Sequence, residues 1–599
     1  MSSKHRWKAA TGLTTALAAV VGGVLISPQF ASAWELDRQT AQRIAAGYAA
    51  TPVGVDLTDK DPLQVGLGSY IVNTAGICNH CHSANQYYKA GFPLTTTDFS
   101  AQTGNPYFLP PPNGPYAFAG ELRPDGGAVF QIDPTTFVAG GQQFGPFASK
   151  NLTPDVNGSP SSFAPYSVNY AEGGLDWITY WAVLHNGVDI DHLFDQCGSS
   201  TNATAPNGCL PAPSNAVVLQ VMPWPTVRQL TDSDLNAVWQ YLSSIPCTTN
   251  KSNINGPPPS GTNIANTYGG GVLISTCSKP GTYQFYTYVN GQVVPRGLVP
   301  GDSSVGIAPL SARPANANAW QGKKYETAAG LSTPSCGLGI QPYPSCPLSR
   351  DDARIAEGYR INPVPLNLTG LDPRKVGIGS YWVNSAGNCD GCHGGTNGGQ
   401  YTSAQNPQNL PVALGGTYTG NYHSSTATPY NPTATQNPVS FLAGGANFKF
   451  GSAACDASGM GGCGATVLLV RNLTPDFSTG VPLPEANTLW QFIQTLRTGH
   501  DFQDVHPNCS PLGTGTSPTC LTAPADGSKL QIMPWPAAGS ATDYDLESIY
   551  AYLTAIPCIP TAATGAPPTH TCPAANSPTY GTATYHQYQY VNGQAVRTD

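Results

Sequence analysis

The chain has 599 residues, a formal net charge of −8 and only 10% charged residues. Acidity at so low a charge density excludes nucleic acid as a natural partner, because its phosphates would be repelled. Gly (66) and Pro (56) make up about a fifth of the chain, above the usual level, yet 40% apolar content still permits buried cores.

At the N-terminal end, Lys4, Arg6 and Lys8 form a basic region and Thr14 to Ile26 a short apolar run. Ala31-Ser32-Ala33 then supplies a small-residue cleavage pattern. These parts predict a secretory signal peptide over residues 1–33, and so a periplasmic or secreted bacterial protein. Removing it takes away three basic residues and no acidic one, moving the net charge from −8 to −11. No later stretch approaches about 18 uninterrupted apolar residues, so no integral membrane span is expected after cleavage.

Val65 to His82 reads as a helix that ends in Cys78-x-x-Cys81-His82. The whole segment returns later: Arg43–His82 matches Arg354–His393 without gaps at 23 of 40 positions, at an offset of 311. LQVMPWP (219–225) returns as LQIMPWP (530–536), NLTPD (151–155) at 472–476, and YVNGQ (288–292) at 590–594. Two long copies are too few for a solenoid and read as tandem domains over 34–300 and 347–599, with a Pro/Gly/Ser-rich linker over 301–346.

Thr231-x-x-Asp234 resembles a capping box opening a helix, with Leu235, Val238, Trp239 and Leu242 on one face and Pro246 as its stop. Thr542 and Asp545 repeat it, before Pro557. The Tyr/Gly/Pro-rich stretches near 83–170 and 394–485 are expected to be loops with a few short strands.

Cys-x-x-Cys-His suits covalent haem attachment. Thiols three residues apart face one edge of a macrocycle and add across its two vinyl groups, while the following histidine reaches the iron. Cys78, Cys81, Cys389 and Cys392 are the candidate attachment residues, with His82 and His393 as proximal ligands. A thioredoxin-like dithiol would sit near a βαβ pattern, which the sequence lacks, and zinc would need two further ligands at short spacing. Met222 and Met533, each 140 residues after its histidine and each in Met-Pro-Trp-Pro, are the candidate sixth ligands in a chain with only four methionines. A Met-Pro run is extended, which suits a thioether presented from a loop. Met460 has no counterpart in the first copy.

In this order of parts the chain resembles class I c-type cytochromes. More narrowly it is similar to the cytochrome subunits of membrane-associated bacterial alcohol and gluconate dehydrogenases. Those subunits usually carry three haems, whereas two attachment motifs are present here. The resemblance implies a mainly α fold, two tandem class I cytochrome c domains with long irregular or short-strand insertions. It also implies two haem c groups and redox partner proteins as electron donor and acceptor, making the chain an electron-transfer protein rather than an enzyme. A dihaem oxidoreductase (peroxidase-like or a dehydrogenase subunit) and an extracellular structural cytochrome are the alternatives.

The other 12 cysteines are an even number, as six disulfides require. Proximity and the repeat suggest Cys197–Cys209, Cys509–Cys520, Cys247–Cys277, Cys558–Cys572, Cys336–Cys346 and Cys455–Cys463. His185 and His500 follow helix-like runs in different registers, which favours surface or hydrogen-bonding roles, and His192 and His506 read as loop histidines. NLTPD reads as a turn, with a haem propionate as the alternative partner of its Asn and Asp. Lys150 and Arg471, just before it, are candidate propionate partners. Because Asn79 and His80 become Asp390 and Gly391 in the second copy, both positions read as replaceable.

Overall fold

In the computed structural model the described residues are 37–58, 60–76, 78–82, 137–140, 143–144, 147–148, 151–154, 177–186, 222–248, 283–296, 346, 348–394, 436–438, 440–444, 447–449, 467–469, 471–475, 488–498, 533, 535–560, 572 and 585–599. Asp37 caps α1 (Arg38–Ala50) by accepting from the Thr40 amide, and Asp61 caps α2 (Pro62–Tyr70), whose leading proline has no amide to satisfy. After α3 (Cys78–His82) come a two-residue ribbon, β1 (Gln143–Phe144) and β2 (Phe147–Ala148), then α4 (Trp177–Asn186), α5 (Trp224–Val227) and α6 (Asp232–Ser244). The hairpin β3 (Tyr286–Val289) and β4 (Gln292–Pro295) closes the first copy.

The second copy repeats this order. It runs α7 (Asp351–Ile361), α8 (Pro373–Asn384), α9 (Cys389–His393), the ribbon β5 (Asn447–Lys449) and β6 (Val467–Leu469), α10 (Leu489–Thr498), α11 (Trp535–Ala538) and α12 (Asp543–Ala555). The hairpin β7 (Tyr588–Val591) and β8 (Gln594–Arg597) ends it. Short strands therefore do occur in the loop-rich stretches of both copies.

In each copy one central helix is crossed by two others: α2 by α1 and α6, α8 by α7 and α12. Glycine makes the second crossing possible, since a Cβ on Gly68 would overlap the Ala237 carbonyl and one on Gly379 the Ser548 carbonyl. Hydrogen bonds seal the same crossings: Asn73 Nδ2 donates to the Tyr241 hydroxyl and Asn384 Nδ2 to that of Tyr552, each at 3.1 Å. Around them Ile44, Leu67, Leu235 and Trp239, and in the second copy Ile355, Ile378 and Leu546, are buried.

The continuous helix expected over Val65–His82 is broken. α2 ends at Tyr70, widens into a π turn over Ile71–Ala75 and bends at Gly76 before α3 starts. In the second copy α8 ends at Asn384 and turns through Ser385, and Asn388, in the left-handed conformation (φ +43°), is the residue that precedes α9. Asparagine tolerates this region better than most residues. Each Cys-x-x-Cys-His motif thus sits on its own one-turn helix.

The YVNGQ landmarks are hairpin turns. Asn290 and Gly291 (φ +51° and +82°) and Asn592 and Gly593 (φ +50° and +82°) are both positive, as a two-residue turn with the twist of its strands requires. Main-chain bonds of 2.8 Å from Val55 N to Gln284 O and from Leu366 N to His586 O pin the hairpins to the segments after α1 and α7.

Both copies belong to one compact unit, Asp37–Asp599. Where they meet, charges pair crosswise. Arg43 of the first copy is held by Asp545 of α12 (Nε 2.8 Å, Nη2 2.6 Å), and Arg354 of the second by Asp234 of α6 (Nε 2.9 Å, Nη2 2.7 Å). Asp351, whose place in the first copy is taken by Thr40, lies between the arginines at 2.5 Å from Arg43 and 3.2 Å from Arg354. All five groups are buried. Burial alone would lower the Arg43 pKa, but the carboxylates of Asp545 and Asp351 reverse this and raise it. Burial likewise pushes Asp545 up, and the Arg43 charge with hydrogen bonds from Arg43 and Tyr70 more than offsets it, leaving the carboxyl below its ordinary value.

The capping boxes are half as expected. Thr231 and Thr542 accept from the Asp234 and Asp545 amides at 3.2 Å, but the aspartates do not reach back. A tyrosine of the other copy relays instead. Tyr381 accepts from Thr231 N (3.1 Å) and donates to Asp234 Oδ2 (2.6 Å), while Tyr70 accepts from Thr542 N (3.2 Å) and donates to Asp545 Oδ2 (2.5 Å).

Cys558 and Cys572 form a disulfide across a sequence separation of 14, and Cys247 and Cys346 each belong to a separate disulfide, their suggested partners Cys277 and Cys336 lying outside the described residues. The suggested pairs Cys197–Cys209, Cys509–Cys520 and Cys455–Cys463 lie outside the described residues, as do residues 1–36 and the predicted signal peptide. Cys346, at the end of the expected linker, is buried, and its carbonyl accepts from Gln64 Nε2 of α2 at 2.7 Å. Among the described residues no helix is long and apolar enough to cross a membrane.

Candidate cofactor-attachment sites

The second copy is the more completely described. On α9 the thiols Cys389 and Cys392 are one helical turn apart, and neither is in a disulfide. Between them Asp390 is buried, and its Oδ1 accepts from the Leu442 amide at 2.7 Å. Leu442 has a positive φ (+54°), so this bond holds a strained turn. The Gly444 amide donates to the His393 carbonyl at 2.7 Å, tying the same turn to the end of α9.

The first copy repeats this geometry. Asn79 Oδ1 accepts from Val138 N (2.8 Å) at φ +44°, and Gly140 N donates to the His82 carbonyl (2.5 Å). Position 79 is therefore not freely replaceable, as its change to Asp390 suggested. Both residues present an acceptor oxygen at the same place. Burial pushes the Asp390 carboxyl up to about 8, so near neutrality it carries less charge than an exposed aspartate. The side chains of His80 and Cys81 lie outside the described residues, and His82 is half-buried on α3.

His393 Nδ1 lies 2.8 Å from the Arg471 carbonyl oxygen. A carbonyl only accepts, so Nδ1 carries the proton and Nε2 presents a lone pair. Burial pushes the imidazole pKa down to about 4, which keeps the ring neutral near pH 7. Burial, with Asp390 nearby, also pushes the Cys389 thiol up to about 12, whereas a redox dithiol depends on a depressed thiol pKa.

Arg471 opens the NLTPD strip, and the strip is a turn. Asn472 Oδ1 accepts from the Thr474 amide (2.8 Å) and hydroxyl (2.7 Å), and its Nδ2 donates to the Ile559 carbonyl (2.6 Å). Asn151 does the same with Thr153 (2.9 and 2.7 Å) and the Thr248 carbonyl (2.8 Å). Each turn anchors the proximal strip to the segment after the C-terminal helix of its copy.

Met222 and Met533 are half-buried at the entries to α5 and α11. Trp224, next but one to Met222, is buried, and its amide donates to the Met222 carbonyl at 2.7 Å. His185 stacks on Trp181 (ring centroids 4.2 Å, interplanar angle 12°), a packing role. Lys150, His192, Met460, His500 and His506 lie outside the described residues, and among the described residues no three His, Cys, Asp or Glu gather as a metal-binding group.

Sequence reasoning missed two contributors. The Arg471 carbonyl carries no signal, because any residue supplies one. The acceptor at 79 and 390 did leave one, since Asn and Asp share the oxygen it uses. No family model matches the chain, and no curated protein is significantly similar to it.

Proposed function

We propose that the chain is a periplasmic or secreted electron carrier with two covalently attached haem c groups. Cys78 and Cys81 hold one and Cys389 and Cys392 the other. His82 with Met222, and His393 with Met533, would hold the iron of each. The hydrogen bond from His393 Nδ1 to the Arg471 carbonyl carries this reading, because it orients the ring and leaves Nε2 for a metal. The two thiols on α9 fit the same group.

A haem so held supplies a one-electron ferric–ferrous couple, and methionine ligation raises its potential relative to two histidines. The protein's part is to fix the tautomer of His393 and to carry a thioether in a Pro-bounded loop; with a histidine and a methionine both holding the iron, the group would serve electron transfer rather than substrate binding. Donor and acceptor are redox proteins.

The test is optical. Ferric haem ligated by methionine has a weak near-infrared sulfur-to-iron band. The protein is expected to show it, and Met222→Ala and Met533→Ala are each expected to remove about half. High-spin spectra and ready carbon monoxide binding in the unaltered protein would overturn the reading and favour a dihaem oxidoreductase.

A further inference from the structure

The two attachment loops lie at the seam between the copies. Thr226, four residues after Met222, shares its Oγ1 hydrogen between the Pro223 carbonyl at 2.8 Å and Asn388 Oδ1 at 3.2 Å, and Asn388 immediately precedes Cys389. On the other side α11, which follows Met533, packs against Ile71–Ala75, the turn that leads to Cys78. Each copy thus braces the other's Cys-x-x-Cys-His motif with the helix that follows its own candidate methionine.

The seam is fixed by groups that cannot be separated cheaply. Removing one partner of a buried ion pair strands the other charge away from water, which is strongly destabilising. Two such pairs, Arg43–Asp545 and Arg354–Asp234, run crosswise and share Asp351. Tyr70 and Tyr381 tie the same aspartates to the N-termini of α12 and α6, the helices that follow the methionine segments. Trp382 fills the space between, edge-on to Tyr70 at 6.0 Å and under the Arg43 guanidinium at 5.6 Å.

We infer that this seam is the electron path between the two sites: the copies work as one rigid redox unit, and electrons cross between the braced attachment loops without hinge motion. The inference rests on the two-haem reading.

The test uses the full haem-loaded chain with a protease site inserted between residues 310 and 320, in the stretch that has no counterpart in the repeat. After cleavage the halves should co-migrate at 1:1 on size exclusion and separate only when denatured. Flash reduction of the cut protein should show transfer between the haems within twofold of the uncut rate and independent of viscosity. Thr226→Val, which removes the hydroxyl's contacts with both Asn388 and Pro223 while nearly keeping the volume, should shift the reduction wave of the Cys389–Cys392 site, on which the Pro223 contact does not bear.

Separation of the halves under native conditions would overturn the rigid seam. Transfer slowed more than tenfold, or dependent on viscosity, would overturn the path, and unchanged waves in Thr226→Val would overturn the bracing. Co-migration is followed by ultraviolet protein absorbance, independent of the haem signal, so a chain that co-migrates but carries no haem refutes the function and the path but not the seam.

Discussion

Asp390 and Asn79 show how one oxygen shapes the Cys-x-x-Cys-His motif. Each takes the amide of a residue held at positive φ, Leu442 or Val138, and so closes the turn that also ties down the adjoining histidine carbonyl. Asp390→Asn places the first copy's residue in the second and is expected to change stability by less than about 1 kcal/mol. Asp390→Leu strands the Leu442 amide and should cost about 1–3 kcal/mol. Thermal unfolding of the two variants side by side distinguishes the roles, and equal losses would contradict the acceptor role. The cysteines, histidines and methionines stand out in the sequence because their chemistry is in the side chain and their spacing repeats. The partner of His393 does not, because it is a main-chain oxygen brought close by folding.

Among the elements, the C-terminal helix of each copy has the clearest start signal, and half of that signal is completed from elsewhere. Thr542 caps α12 as a local motif predicts, while the return bond runs through Tyr70 of the other copy to Asp545. Local sequence reading finds the threonine and the aspartate three residues on; it has no access to a tyrosine hundreds of residues away. The break between α2 and α3 was hidden for a related reason, since the apolar pattern runs on through the π turn.

The Asp545 carboxyl is held below its ordinary value in the fold, so its contribution is full above the unfolded pKa and is lost as pH falls through the folded one. The unfolding temperature should therefore drop below about pH 4. Asp545→Asn should lower it near neutrality, at about 3–5 kcal/mol, and flatten the acid slope. An acid slope unchanged in that variant would assign the drop to other carboxylates.

At the scale of the molecule, the duplication is legible because Arg43–His82 and Arg354–His393 align without a gap. How the copies associate is not. Arg43 and Asp234 each look like an ordinary charge on a helix of their own copy, and their crosswise pairing with Asp545 and Arg354 shows itself in the fold alone. That arrangement matters to function if the repeats carry the cofactors their motifs suit.

The most direct measurement is mass spectrometry of the purified mature protein with a pyridine haemochrome assay on the same sample. Two haems per chain are expected, retained under denaturation, on the peptides holding Cys78–Cys81 and Cys389–Cys392. A chain without covalent haem, or with these cysteines joined as disulfides, would contradict it.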